Sequence, residues 1–388
     1  MGGRSIRLDV LRAIAALMVI GFHSGGLVGS GAQGNRLLWL PYNLDTGVEL
    51  FFVLSGYLIA LPFLRSLVNG SPAPDAVSYT RRRAARILPG YWLALCIATF
   101  LATRQPGLLP PLGMLLPQVA LVQGVVPGDG GLGPLVVGWT LSVEAAFYIG
   151  VPLATWALVK RRAPWSVRSL AWMTCAIWAV SAAIACVVAA FVPTSPWSTL
   201  ALRGPAGLMC QFCPGILVAL VQIGYERASS AMDRPRAAWA LIACGLLGWL
   251  LVVAWTGATP SPLQVVIRNQ ACGFLFGLVL FGTLEMRGAV SRFTRTIALV
   301  GTVSYGLYLW HWLALEVVGS TGFRVGLTAP LVVDWALGTA VLTIATLPLA
   351  MLSWHLVEKR AISWASDRSV HRRLETRTVA TVSPSISS

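Results

Sequence analysis

The run Val10–Val28, VLRAIAALMVIGFHSGGLV, decides the fold. It is long enough to cross the hydrocarbon core of a bilayer, which takes about 20 apolar residues. It nevertheless carries Arg12 near its start and His23 near its far end. Ionisable groups are expensive inside a membrane, so each marks a functional position. Eleven residues at about 100° each make three turns plus roughly 20°, so the two side chains share one helix face, about 16 Å apart along the axis.

Outward from this run, the 388-residue chain repeats its apolar character: 56% of the residues are hydrophobic and only 11% charged. With a mean hydropathy of +0.73, the composition excludes an ordinary soluble domain. Apolar runs at 9–28, 48–68, 87–103, 137–159, 169–192, 206–224, 237–256, 269–285, 297–318 and 330–357 predict an all-α polytopic membrane protein with about ten transmembrane helices. The net charge of +15 does not point to nucleic acid, because the basic residues lie between apolar runs rather than on a soluble face. There they set topology. Of the 29 Lys and Arg, 23 fall on the side of the N-terminus, against Arg36, Arg104, Arg203, Arg268 and Arg324 on the other, with Arg12 inside the first run. This bias predicts that both termini are cytoplasmic. Residues 1–365 read as the transmembrane domain and 366–388 as a disordered basic tail. A cleaved signal peptide is not expected, because the first run continues to membrane length and holds Arg and His.

The seven cysteines all fall within predicted spans, which reads as buried thiols rather than a disulfide framework. Cys210-Gln-Phe-Cys213 has neither a second pair nor a nearby His, so no metal ion is expected. The segment Arg104 to Gly138 is rich in Pro and Gly yet apolar, predicting a short re-entrant or interfacial helix on the outer side. Pro62, Pro152, Pro214 and Pro348 lie inside spans and predict kinks that open a cavity. There is no internal repeat, which weighs against a transporter built from inverted halves.

Walking in from the nearer end of each span places His23, Glu144, His311 and Glu49 in the outer half of the bilayer. Two imidazoles and two carboxylates at one level suit a general base with an orienting partner. Blander readings exist: His23 as a satisfied core residue, His311 as an interfacial anchor in Tyr308-Leu-Trp-His311-Trp312, and Glu49 as headgroup-level charge. Glu144, deep in its span, is harder to explain that way. On the inner side, Arg81 and Arg82 suit topology and anionic lipid. Arg83 and Arg86, i and i+3 on one helix face, are spaced to hold a phosphate, with Arg12 in reach. A long, thin, phosphate-headed substrate fits this arrangement.

At these residues the chain resembles the acyltransferase-3 family of integral-membrane acyltransferases. The resemblance rests on Leu8 to Ala16 with His23 after ten residues from Arg12, Gly47 to Ile59 (GVELFFVLSGYLI), Arg83-Ala-Ala-Arg86-Ile-Leu-Pro89, Trp139 to Glu144 with Phe147-Tyr148, and Gly301 to His311. It implies transfer of an acyl group from acyl-CoA, as donor co-substrate and with no tightly bound cofactor, to a hydroxyl of a sugar, a surface polysaccharide or a macrolide-like glycoside. It makes Arg12 and His23 the first-helix pair and Arg83 and Arg86 the family's paired arginines. It also implies a multi-pass protein of the bacterial inner membrane, of the stand-alone form that lacks a soluble hydrolase-like domain. The competing expectation is a proton-coupled transporter or flippase using the same intramembrane His and Glu residues.

Overall fold

A computed structural model describes residues 5–28, 36–103, 112–126, 133–160, 164–192, 202–227, 235–326 and 330–366. Among them, nine helices are long and apolar enough to cross a membrane, or ten if the bent pair Arg292–Thr302 and Ser304–Ser320 is one span. The chain is an all-helical, multi-pass membrane protein. In order, its helices are α1 Ile6–His23, α2 Gly47–Asn69, α3 Ala76–Thr103, α4 Leu112–Val119, α5 Trp139–Val159, α6 Val167–Phe191, α7 Cys213–Arg227, α8 Pro235–Thr256, α9 Pro262–Glu285, α10 Arg292–Thr302, α11 Ser304–Ser320 and α12 Leu331–Ser353. The expected tail beyond Ser366, and residues 104–111 and 127–132 of the expected outer segment, lie outside the described residues.

Outer helices present apolar side chains to the surroundings, as at Leu247 and Leu251 of α8, 60% and 72% exposed. Lipid, not water, is the solvent for such a face. The centre is built on α1 and α2. Ala13, Ala15, Ala16 and Ile20 of α1 are fully buried. Glycines bring backbones together there: a Cβ on Gly56 of α2 would strike the Phe212 carbonyl, and one on Gly215 of α7 the Val53 carbonyl. Gly301 in α10 lies in the same way against the backbone of Asp9. Without a side chain in the way, dispersion contacts between helices are gained at short range.

Several boundaries differ from the hydropathy reading. α3 begins at Ala76, so the arginine cluster lies within the helix rather than ahead of it. α9 begins at Pro262 behind a capping box in which Ser261 and Gln264 bond each other's backbone N–H, and this brings Arg268 inside the helix. The predicted span 297–318 is bent by 63° between α10 and α11, and α10 carries Arg292 and Arg295. The predicted span 206–224 is broken into a turn at Pro205–Leu208, a 3-10 turn at Met209–Phe212, and α7. Pro214 therefore sits in the first turn of α7, where it sacrifices no helical hydrogen bond. Pro62, Pro152 and Pro348 do lie inside helices.

The outer segment docks on the middle of α3. The Tyr91 hydroxyl donates to Gln118 O (2.9 Å), Trp92 Nε1 to Val119 O (3.0 Å), and Gln123 Nε2 to Gly138 O (2.7 Å). Gln118 and Gln123 are buried, and the segment covers the start of α5. That helix therefore starts well inside the bundle.

Candidate active site

Two cavities lie at the two ends of α1. The one at the Arg12 end, on the expected inner side and called the inner cavity, is about 100 Å³ and is lined by Arg12, Ser55, Arg83, Arg86, Glu144 and Tyr148 among others. Arg12 is fixed by Asp9 one turn earlier, Nη1 to Oδ1 at 2.8 Å. The Arg83 guanidinium packs 5.6 Å from the Tyr79 ring centre and 5.3 Å from that of Tyr148, a geometry that attracts a cation to a ring face. Glu144 Oε1 accepts from the Ser55 hydroxyl (2.7 Å) and the Tyr148 hydroxyl (2.6 Å). Beyond the Arg12–Asp9 pair, the lining sets the guanidinium groups of Arg83 and Arg86 against the one carboxylate of Glu144, so it keeps an excess of positive charge for an anion.

The one at the His23 end, on the expected outer side and called the outer cavity, is larger, about 610 Å³, and is lined by His23, Asp45, Glu49, Trp139, Gln211 and Arg268 among others. Asp45 comes from the 3-10 turn before α2. Arg268 pairs with it in bidentate fashion, Nη1 to Oδ1 at 3.0 Å and Nη2 to Oδ2 at 2.7 Å. The same guanidinium donates to Asn43 Oδ1 (2.7 Å) and Asn269 Oδ1 (3.0 Å). Such a network satisfies a buried charge by geometry as well as by attraction.

His23 and His311 pair at the edge of this cavity, His311 Nε2 lying 3.2 Å from His23 Nδ1. His23 Nδ1 is also 3.0 Å from Val19 O, and His311 Nδ1 is 3.2 Å from Leu307 O. A carbonyl oxygen only accepts, so in the neutral rings both Nδ1 atoms carry the hydrogen. His311 Nε2 then accepts from His23, and the remaining lone pair of the dyad is on His23 Nε2. His311 is wholly buried behind His23, which itself lines the cavity. A proton accepted at Nε2 gives an imidazolium whose Nδ1–H is already held by two acceptors.

Val48, Phe52 and Tyr308 line both cavities and form the partition between them. The Tyr308 hydroxyl is tied to Thr140 Oγ1 (2.6 Å) and Val137 O (3.0 Å). Along α2, Glu49 on one side and Ser55 on the other are six residues apart, about 9 Å.

The structure thus groups the expected site residues differently from the depth reading. His23, His311 and Glu49 gather at the outer cavity, while Arg12, Arg83 and Arg86 gather at the inner one. Glu144 joins the arginines and not His23, because Trp139 at the start of α5 already lines the outer cavity and Glu144 lies five residues further along the helix. Asp45, Arg268 and Gln211 were missed. The charge count alone places Arg268 among the outer-side topology residues. The Ser261-Pro-Leu-Gln264 capping signature, which moves the helix start seven residues ahead of the predicted 269, is the signal that finds it.

Residues 5–355 match the family described as "Acyltransferase domain". The chain is similar to the exopolysaccharide production protein ExoZ of Rhizobium meliloti, 29% identical over 73% of this chain and 80% of the relative. It is 26% identical to nodulation protein 10 of Rhizobium leguminosarum bv. viciae, over 93% of this chain and 94% of that protein. It is likewise 26% identical to the putative peptidoglycan O-acetyltransferase YrhL of Bacillus subtilis, over 95% of this chain and 56% of the relative. No solved structure matches. With a family match that runs through both cavities and nearly from end to end, the chain belongs to the acyltransferase-3 family of integral-membrane acyltransferases.

Proposed function

We propose that this acyltransferase moves a short acyl group, such as acetyl, from acyl-CoA to a hydroxyl of a sugar or polysaccharide in the bacterial cytoplasmic membrane, with both termini cytoplasmic. The observation that carries the reading is the imidazole dyad, with its free lone pair on His23, set about 16 Å along α1 from Arg12 and the arginine cavity. In this reading Arg12, Arg83 and Arg86 hold the phosphates of the donor at the mouth of the inner cavity. That cavity, about 100 Å³, is too small for so large a molecule, so the phosphates stay at its mouth. The pantetheine arm runs up along α1, past the layer of Val48, Phe52 and Tyr308, and brings the thioester to His23. His23 takes the proton of the acceptor hydroxyl as its oxygen attacks the thioester carbonyl. The C–S bond breaks, and the proton passes to the departing CoA thiolate. His311 holds His23 in the working tautomer and is a positioning residue. The names of the exopolysaccharide and peptidoglycan relatives support a carbohydrate acceptor.

The two-cavity arrangement also suits the transporter reading, and one experiment separates them. Purified protein in detergent, where no second compartment exists, is mixed with radiolabelled acetyl-CoA and envelope polysaccharide. Label should enter the polysaccharide as CoA thiol is released. An intact thioester with every hydroxyl acceptor would end the donor reading.

A further inference from the structure

The outer cavity holds polar atoms that the protein itself does not satisfy. Gln211 is 1% exposed, and neither its Nε2 nor its Oε1 has a hydrogen-bond partner among the described residues. Glu49 is 5% exposed, and its Oε2 likewise has none there. Buried polar atoms are nearly always paired, because leaving them unmet is costly. Both residues line the same cavity of about 610 Å³, within the roughly 300–1,000 Å³ of ordinary ligand sites.

Gln211 is held rigidly. It belongs to the 3-10 turn Met209–Phe212, whose neighbour Phe212 stacks on Phe147 with ring centres 3.9 Å apart. Across from it, a Cβ on Gly273 would come within 2.9 Å of Gln211 Oε1, so the glycine leaves that amide room. An anionic ligand does not suit the place. The buried basic group, Arg268, is consumed by Asp45, Asn43 and Asn269. Arg203, the other basic lining residue, is exposed. Asp45 is spent in the same pair, and the Glu49 carboxyl offers an anion no counter-charge. An amide that both donates and accepts, an unmet carboxylate oxygen and the indole wall of Trp139 suit a neutral ring bearing adjacent hydroxyls, since each hydroxyl both donates and accepts.

We propose that this cavity is the subsite for the acceptor's sugar ring, with Gln211 and Glu49 reading hydroxyl groups next to the one presented to His23. The assignment rests on the carbohydrate-acceptor reading above, and its test runs without acyl-CoA so that the two can fail separately. The protein in lipid nanodiscs is titrated with methyl β-glucoside, methyl β-galactoside and glucose 6-phosphate under saturation-transfer NMR. A neutral glycoside should bind, and glucose 6-phosphate more weakly. Gln211→Leu should weaken glycoside binding about tenfold or more, and Glu49→Gln should also weaken it. Thermal stability of Gln211→Leu should hold or rise, because an unmet polar group has been removed; a residue with a purely structural role would lower it. Gln211→Glu, which keeps size and polarity but loses the donor, should also weaken glycoside binding while remaining folded. Absence of glycoside binding to the parent protein, equal binding by parent and variants, or preference for the phosphorylated sugar would each overturn the subsite. Glycoside binding without acyl transfer would overturn the donor chemistry and leave the subsite standing.

Discussion

The two cavities treat their arginines in opposite ways. In the inner one, Arg12 is paired with Asp9, but Arg83 and Arg86 stand against the single lining carboxylate of Glu144, and aromatic faces support Arg83 without neutralising it. In the outer one, Arg268 is fully engaged by Asp45, Asn43 and Asn269, while Gln211 and Glu49 keep unmet atoms. A basic residue that binds a ligand must keep charge in surplus, and one that holds a scaffold must spend it. On the proposed reading, the contrast separates two classes of ligand within one helical bundle, an anion at the arginine end and a neutral polyol at the histidine end.

The largest expected effect would confirm that proton transfer belongs to the outer cavity alone. His23→Ala should cut single-turnover acyl transfer by about 10²–10⁴-fold, with acyl-CoA binding by calorimetry unchanged. If binding weakened in parallel, the two cavities would not be functionally distinct. Next comes Arg268→Met, which leaves Asp45 and Asn43 without their guanidinium. It should destabilise the fold by about 3–5 kcal/mol, as expected for breaking a buried pair, seen as a lower unfolding temperature in detergent. A variant of normal stability with impaired donor binding would mean that Arg268 is a ligand-binding arginine after all. Arg83→Ala should raise the KM for acyl-CoA roughly 10–100-fold, the loss of about 1.5–3 kcal/mol for a charge-assisted contact, and leave the acceptor KM alone. An equal rise in both would erase the contrast. The smallest effect belongs to the partition: Thr140→Val removes one hydroxyl from Tyr308 and should cost about 0.6 kcal/mol of stability, the average for such bonds in membranes.

How much of this was legible in sequence follows from the physics of each signal. Arg12 and His23 stood out because an apolar run makes ionisable residues conspicuous, and the spacing of Arg83 and Arg86 is local. Helix count and class followed from hydropathy alone. Arg268 was hidden because hydropathy trims a span at its charged end, although the helix itself continues through Pro262. Glu144 was placed at the wrong cavity because the depth rule equates a helix start with a membrane edge, whereas Trp139 at the start of α5 already lines the outer cavity and Glu144 lies five residues further along. The bend of 63° between α10 and α11 falls at Gly301-Thr302-Val303-Ser304, small and polar residues too few to interrupt the hydropathy of the whole run. Gln211 carries no charge, and only three-dimensional burial reveals that its amide is unmet.

The layer made by Val48, Phe52 and Tyr308 has an electrical consequence. Where water fills both cavities, the insulating thickness at this spot shrinks from a bilayer core of about 30 Å to about 9 Å, and the transmembrane voltage drops mainly there. Any net charge carried through during a turnover gains or loses about 2.3 kcal/mol per 100 mV. In the proposed reaction the acyl group crosses as a neutral passenger and is indifferent to voltage, whereas the proton passing the other way to the CoA thiolate is not. Turnover in proteoliposomes with and without an imposed potassium diffusion potential therefore reports which of the two makes the crossing.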